Sequence, residues 1–252
     1  MIKNKPLVSI VTPVMNKLEF TSQMLEELAK TTKDWPYEVV IVDNCSTDGT
    51  SAWIKNSKLP LNGRIIKNAQ NKGFSVANNQ GYGISRGDLL CFLNNDIIPM
   101  QGWLSSLCET LLSDEKIGIV GARLLHPGRG SVQHAGIDIV DLRPNHTYFG
   151  RQQDDKDVMK QRECFAVTGA CMLIRKSTFE ELNGFSEDYW LGFEDIDLCN
   201  KAKEKGYKIV YEPRAKLYHY ESRTPGRYEK DDENFKLYMH RWVYGRSEYG
   251  YK

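Results

Sequence analysis

The sequence predicts an α/β fold, a mainly parallel sheet covered by helices on both faces, and two observations carry that reading. In the first half, short apolar runs alternate with segments whose apolar residues recur at helical spacing. Repeated β-α-β units of this kind form a parallel sheet with right-handed crossovers. At 252 residues and 40% hydrophobic content, the chain also has enough apolar mass for a sizeable core.

The elements follow in order. The start, MIKNKPLVSIVTPVMNK, is basic and partly apolar, but Pro6, Pro13 and Asn16 interrupt it and no small-residue cleavage site follows. Residues 7–14 therefore read as the first strand. LEFTSQMLEELAKTT places Phe20, Met24, Leu25 and Leu28 on one helical face, and YEVVIVDN (37–44) is the second strand. Asp48 and Gly49 open a short helix carrying Trp53 and Ile54. RIIKN (64–68), a helix from Val76 to Ser85, and LLCFLNND (89–96) continue the alternation.

The second half is more mixed. GWLSSLCETLLSD is helical, IGIVGARLL a strand, and VQHAGIDIV part of a hairpin. GRQQDDKDVMKQRE (150–163) is polar and charged, which predicts an exposed loop. CFAVTGACMLIRK (164–176) returns to the core as a strand, and STFEEL makes a short helix stopped near Gly184. FEDIDLCNKAKEKG sets Ile196, Cys199, Ala202 and Lys203 at helical spacing and ends at Gly206, before the strand YKIVYEP. In the tail, residues 229–252, Phe235, Tyr238, Met239, Trp242 and Val243 follow helical spacing beside Lys236, Arg241 and Arg246. Packing back on the domain is the preferred reading, with a membrane-surface or subunit contact as the alternative.

The formal net charge is +1, with both signs mixed along the chain, so nothing marks nucleic acid as a partner. No stretch approaches the roughly 18 to 20 apolar residues of a membrane span. Cys45, Cys91, Cys108, Cys164, Cys171 and Cys199 lack CxxC spacing and several lie in apolar runs. Buried reduced thiols in a cytoplasmic protein are the expectation.

Ligands of open parallel sheets bind beyond the carboxyl ends of the strands. That rule singles out Thr12, Asp43 and Asp96. Asp43 precedes NCSTDGT, where a carboxylate either receives a base N–H or a sugar hydroxyl or caps the turn. Asn71 and Gly73, in NKGFSVANNQGYG, either hold a loop close to a ligand or form a turn. Asn94, Asn95 and Asp96 end an apolar run. A single carboxylate there makes no tight Mg²⁺ or Mn²⁺ site by itself, but it anchors a cation that a diphosphate completes. Glu194, Asp195 and Asp197 crowd the first turn of a helix beside Trp190 and Phe193. They either complement the helix dipole or supply a general base whose proton affinity the crowding raises. His219 reads as a metal ligand or as a packed histidine among tyrosines.

In this order, VSIVTPVMN, VVIVDNCSTDGT, NKGFSVANNQG, CFLNNDI, VTGACMLIRK, GFSEDYWLGFEDIDLCNKAKEKGYKIVYEP and LYHYESR resemble a family 2 glycosyltransferase, over residues 7 to 224. The likeness is to O-antigen, rhamnosyl- and N-acetylglucosaminyltransferase-like members. It implies the GT-A fold, a Rossmann-like three-layer α/β/α arrangement with a mainly parallel sheet and a small additional antiparallel sheet. It implies one domain over residues 1–228, with a nucleotide-binding half (1–100) and an acceptor-binding half (101–228). The activity implied is metal-dependent inverting transfer from a UDP- or dTDP-sugar to a hydroxyl of a glycan, lipid-linked or protein acceptor, in polysaccharide biosynthesis. Localisation is cytoplasmic, with room for a contact at the inner membrane face through the tail and for an oligomer.

The resemblance also implies roles. Thr12 and Pro13 lie against the nucleotide with Asn71, Gly73, Asn94 and Asn95, and Asp43 reads the base. Asp96 matches the last acid of the DxD motif and holds Mn²⁺ or Mg²⁺, with His219 joining the metal. Asp195 matches the general base, and Glu194 helps hold a hydroxyl. Thr168, Gly169, Ala170 and Trp190 line the donor and acceptor pocket. Asn94 departs from the motif, where the first acid would stand; an amide adds no charge, so the site offers the cation one carboxylate fewer and a modest affinity is expected.

Two other classes compete. A sugar-phosphate nucleotidyltransferase needs a glycine-rich, basic loop after the first strand, and TPVMNKLEF lacks one. A non-catalytic sugar- or nucleotide-binding module has no use for the complete FEDIDL block. A retaining transferase is a further alternative, separated by the anomeric configuration of the product.

Overall fold

Strand β1 (Val8–Val14) is buried along its length apart from a half-buried Pro13. Val8, Ile10 and Val14 enter one apolar cluster and Val11 the other, so strand alternation delivers apolar side chains to both faces of the sheet. The computed structural model describes residues 4–57, 63–141, 143–221 and 230–244.

After β1 come α1 (Leu18–Thr31), β2 (Tyr37–Asp43), α2 (Thr50–Asn56), β3 (Arg64–Lys67), α3 (Gly73–Ile84), β4 (Leu89–Leu93), β5 (Ile97–Pro99) and α4 (Trp103–Ser113). The second half runs β6 (Ile117–Leu125), β7 (Val132–His134), β8 (Ile137–Val140), β9 (Arg143–His146), β10 (Arg162–Glu163), β11 (Cys171–Arg175), α5 (Lys176–Glu181), α6 (Glu194–Glu204), β12 (Lys208–His219) and α7 (Asp231–Met239). A π-helical turn, His240–Tyr244, follows.

The main sheet has the order β10-β12-β6-β11-β4-β1-β2-β3. Its pairs β1/β2, β1/β4, β2/β3 and β6/β12 are parallel, and β11 runs antiparallel between β4 and β6. The hairpin β8/β9 forms a separate small antiparallel sheet. Leu25 and Leu28 of α1 and Leu104, Leu107 and Leu111 of α4 cover one face. Phe179 of α5, Leu198 and Ala202 of α6, and Tyr238 of α7 cover the other. This is the three-layer arrangement with a mainly parallel sheet that the sequence predicts.

Several boundaries differ. The run 164–176 enters the ladder only at Cys171. Before that, Ala166 bridges Ile137, and Val167 packs where Gly121 has no side chain, so the backbone crosses the sheet face. The apolar run at 89 stops at Leu93, and Asn94–Asp96 turn into β5. VQHAGIDIV is part of a hairpin, as expected, through its second half: Gly136, at φ 92°, turns the chain so that β7 joins β6 while β8 pairs β9. The loop 150–163 is exposed in most of its charged residues, yet Val158 is fully buried and its carbonyl accepts the Tyr211 hydroxyl at 3.0 Å. A single apolar residue thus pins a polar segment. Five cysteines are buried free thiols and Cys45 is half-buried. No helix of the described residues is long and apolar enough to cross a membrane.

Candidate active site

The parallel strands β1, β2 and β4 end on the same side, and the loops beyond them carry the candidate residues. Asp43 closes β2 and is 1% exposed. Its Oδ1 accepts the Ser46 N–H at 2.8 Å and its Oδ2 the Ser51 hydroxyl, so the carboxylate braces the turn into α2. Asn44, next to it, ties two loops together. Its amide donates to Asn71 Oδ1 (2.8 Å) and Gly73 O (3.1 Å), while its carbonyl oxygen accepts from Asn68 Nδ2 and the Lys72 N–H. Asn71 also accepts the Gly73 N–H at 2.9 Å. Gly73 has φ 79°, and a Cβ there would lie 2.8 Å from the Trp190 carbonyl oxygen. Only glycine lets α3 begin against that loop, and the Phe74 N–H donates to the same carbonyl at 3.2 Å. Thr12 is fully buried, with no partner for its hydroxyl among the described residues, and Pro13 is half-buried.

Asp96 is 4% exposed, in the turn between β4 and β5. Because β5 pairs antiparallel with the end of β12, Ile97 faces His219, and the Tyr220 N–H reaches back to the Asp96 carbonyl at 3.1 Å. The register sets Asp96 Oδ1 3.3 Å from His219 Nε2. That contact lacks hydrogen-bond geometry, and Nε2 has no hydrogen-bond partner among the described residues. The other ring nitrogen, Nδ1, is 2.6 Å from Gln133 Oε1. Two ligand atoms at about 2.1 Å from one divalent cation and nearly at right angles stand about 3.0 Å apart, so the pair suits a shared ion. Among the described residues no group of three or more His, Cys, Asp or Glu converges as a metal site. A cation held by this pair would therefore need further ligands from elsewhere, such as the oxygens of a diphosphate.

Helix α6 begins with Phe193 at φ 73° as its N-cap. A bulky residue in the left-handed region is strained unless its surroundings hold it. Here the rings of Phe235 and Tyr238 flank it, with centroids 5.8 and 5.4 Å away. Half-buried Asp195 accepts the Gly169 N–H at Oδ2 and the Ile196 N–H at Oδ1, both at 2.8 Å. Glu194 is 4% exposed. The acids that crowd together in the sequence separate in space: Asp197, fully buried, points to the tail. Its Oδ1 receives Arg241 Nη1 (3.1 Å) and Trp242 Nε1 (2.8 Å), and Lys201 Nζ lies 3.1 Å from Oδ2. Arg241 also holds the Asp188 carboxyl below its usual range through a 2.6 Å contact.

The segment Thr168–Ala170 joins the two halves. The Ala170 carbonyl accepts the Asn94 N–H at 3.0 Å, and Gly169 holds Asp195, so the turn carrying Asp96 and the first turn of α6 carrying Asp195 are tied to one segment at the lip where β4 ends and β11 begins. Thr168 Oγ1 accepts the Ala170 N–H at 3.3 Å. Asn95 turns away, donating to Thr21 of α1 at 3.0 Å. Trp190 is 41% exposed, and Lys230 stands 5.8 Å over its ring.

Asn44, Gln133 and His134 escaped the sequence reading. Asn44 was hidden beside Asp43, and β7 gave no signal beyond its apolar flanks. His134 Nε2 accepts the Gly136 N–H at 3.2 Å and the Thr168 N–H at 3.4 Å, and its Nδ1 is 2.8 Å from His146 Nδ1. Burial, aided by His146, pushes the His134 imidazole well below its ordinary range, which keeps it neutral and able to accept.

Comparison with known proteins gives two family matches. The profile of glycosyl transferase family 2 matches residues 9–182, and one described as the N-terminal domain of galactosyltransferase matches residues 157–223. An uncharacterized protein of Sinorhizobium fredii, y4gI, is 32% identical over 89% of this chain and 26% of its own length. The O-antigen biosynthesis protein RfbC of Myxococcus xanthus is 29% identical over 88% of this chain and 18% of its own. The chain thus spans about a quarter or less of the length of these relatives. Among solved structures, GalNAc-T7 with UDP, GalNAc and Mn²⁺ superposes with a TM-score of 0.70 at 16% identity, over 86% of this chain and 44% of that one. At that identity the likeness is one of fold.

Proposed function

This chain belongs to glycosyl transferase family 2, and from that premise we propose that it catalyses inverting transfer of a sugar from a nucleoside diphosphate sugar to an acceptor hydroxyl. The observation that carries the reading is the shared lip: the Asp96–His219 pair and Asp195 are linked through Asn94, Ala170 and Gly169. Asp195 accepts the proton of the acceptor hydroxyl as that oxygen attacks the anomeric carbon, and the nucleoside diphosphate departs from the opposite face. Each Asp195 oxygen keeps a second lone pair beyond the N–H it already receives, so the carboxylate is oriented with an acceptor site left for a hydroxyl. Glu194 helps hold a donor or acceptor hydroxyl. Asp96 and His219 hold a divalent cation, which when bound offsets charge on the leaving diphosphate. An imidazole in the donor set favours manganese over magnesium, in keeping with the Mn²⁺ of the GalNAc-T7 structure.

In this reading residues 1–100 bind the nucleotide, with Asp43, Asn71 and Gly73 shaping its loops, and residues 101–228 bind the acceptor with Thr168 and Trp190. The tail, described over 230–244, docks on α6. The donor is a UDP- or dTDP-sugar and the acceptor a glycan or a lipid-linked precursor, as the name of the O-antigen relative favours. Thermal-shift screening against UDP-, GDP- and dTDP-sugars, with and without Mn²⁺, tests the proposal. A bound donor raises the melting temperature by mass action, and the shift should need both sugar nucleotide and metal. No shift with any donor would count against it.

A further inference from the structure

We infer that Gln133 is a positioning residue that fixes the tautomer of His219, leaving Nε2 as the free lone pair beside Asp96. The inference rests on the proposed cation role of His219 and deepens it.

The argument runs outward from the ring. Gln133 and His219 are both 6% exposed, so neither can exchange its partner for bulk water at no cost. His219 Nδ1 and Gln133 Oε1 are 2.6 Å apart. An unprotonated Nδ1 would set two lone pairs against each other at that distance, so Nδ1 carries the proton and donates it. This requires that the amide present its oxygen to the ring. Glu221 enforces that choice: Gln133 Nε2 donates to Glu221 Oε2 at 3.2 Å. A carboxylate only accepts, so the flipped amide would face it with an oxygen and face His219 with an N–H group. The polarity therefore passes from Glu221 through Gln133 to His219. With Nδ1 protonated, the neutral ring has its lone pair on Nε2, the atom 3.3 Å from Asp96. Partners of this kind set both ring orientation and ligand basicity at metal sites. Residue 133 lies 86 positions from His219 along the chain and meets it only because β7 is brought beside the end of β12 through β6.

Long-range ¹H–¹⁵N NMR of the full chain at alkaline pH, where an ordinary imidazole is neutral, reads the tautomer directly. The chain has five histidines, and His219→Gln identifies the signal. The Nδ1–H form is expected for His219 in the unaltered protein, and finding the Nε2–H form overturns the inference without any further variant. Gln133→Leu should move His219 toward Nε2–H, whereas Gln133→Glu, which still accepts, should keep Nδ1–H. An unchanged tautomer in folded Gln133→Leu protein also overturns it. Titration with Mn²⁺ alone, followed by paramagnetic broadening of the His219 signal, gives the second readout. Gln133→Leu should need about 10- to 100-fold more Mn²⁺ than the unaltered protein, and Gln133→Glu about the same amount. Broadening that is absent in the unaltered protein both with Mn²⁺ alone and with Mn²⁺ plus UDP would sink the cation role while the tautomer result stands separately.

Discussion

Asp96 Oδ1 stands 3.3 Å from His219 Nε2, 123 residues along the chain, because the three-residue strand β5 pairs antiparallel with the end of β12. Neither residue is more than 6% exposed. A carboxylate oxygen and an imidazole nitrogen at this spacing can share a divalent cation. Asp96→Ala and His219→Ala should each abolish the Mn²⁺-dependent part of the thermal shift given by a sugar nucleotide. Asp195→Asn should retain it. Equal shifts in all these proteins would remove the pair from metal binding.

Gly73 and Gly49 make a matched comparison. Both have positive φ, at 79° and 94°, but a Cβ at Gly49 meets nothing within 4 Å, whereas at Gly73 it meets the Trp190 carbonyl oxygen at 2.8 Å. Gly49→Ala should cost about 1 kcal/mol for the left-handed backbone alone. Gly73→Ala should cost about 2–4 kcal/mol, the excess arising from displacement of the Trp190 loop. Urea unfolding of the two variants measures the difference, and equal losses would mean that the Trp190 contact carries no weight.

The tail should be needed for the shape of the site. Arg241 and Trp242 both bind the buried Asp197 on α6, and Phe235 and Tyr238 flank the strained Phe193 at its start. Arg241→Ala leaves Asp197 with Lys201 as its remaining cation among the described residues. Because Arg241 is 30% exposed, the loss should fall below that of a fully buried pair, at about 1–3 kcal/mol. Arg241→Lys should recover part of it. Urea unfolding of both proteins provides the check, and an unaffected Arg241→Ala protein would show that the tail does not brace α6.

Stability should also fall in mild acid because of His134. Burial depresses its folded pKa below the unfolded value of about 6.5. The unfolded chain then binds the proton first. The contribution of this group is complete above about pH 6.5 and is lost as pH falls below it, with a slope of up to about 1.4 kcal/mol per unit. His134→Gln should flatten that part of the curve of unfolding free energy against pH. An identical slope in the variant would place the acid sensitivity elsewhere.

How much of this was legible in the sequence depends on the range of the interactions. The buried strands and the helix carrying Asp195 are local patterns of apolar spacing, and Asp43 and Asp96 stand out because each follows an apolar run. The block order in the sequence also matched the family that the comparisons identify. Gln133 and Asn44 could not be read the same way. Their value comes from partners far along the chain, at His219 and Glu221 for one and at Asn68 to Gly73 for the other. Nor does spacing reveal that Asp197 turns toward Arg241 while Asp195 turns toward Gly169, since one helical turn presents them together. The strand expected over 164–176 was shortened for a similar reason: Gly121 admits Val167 from across the sheet.

The most direct measurement is the turnover of Asp195→Asn, followed as release of nucleoside diphosphate with the best donor from the thermal-shift screen. Asparagine preserves the shape of the side chain but cannot take up the proton. The rate should fall by about 10²- to 10⁴-fold with donor affinity unchanged. Turnover at the level of the unaltered protein would contradict the assignment of Asp195 as the base.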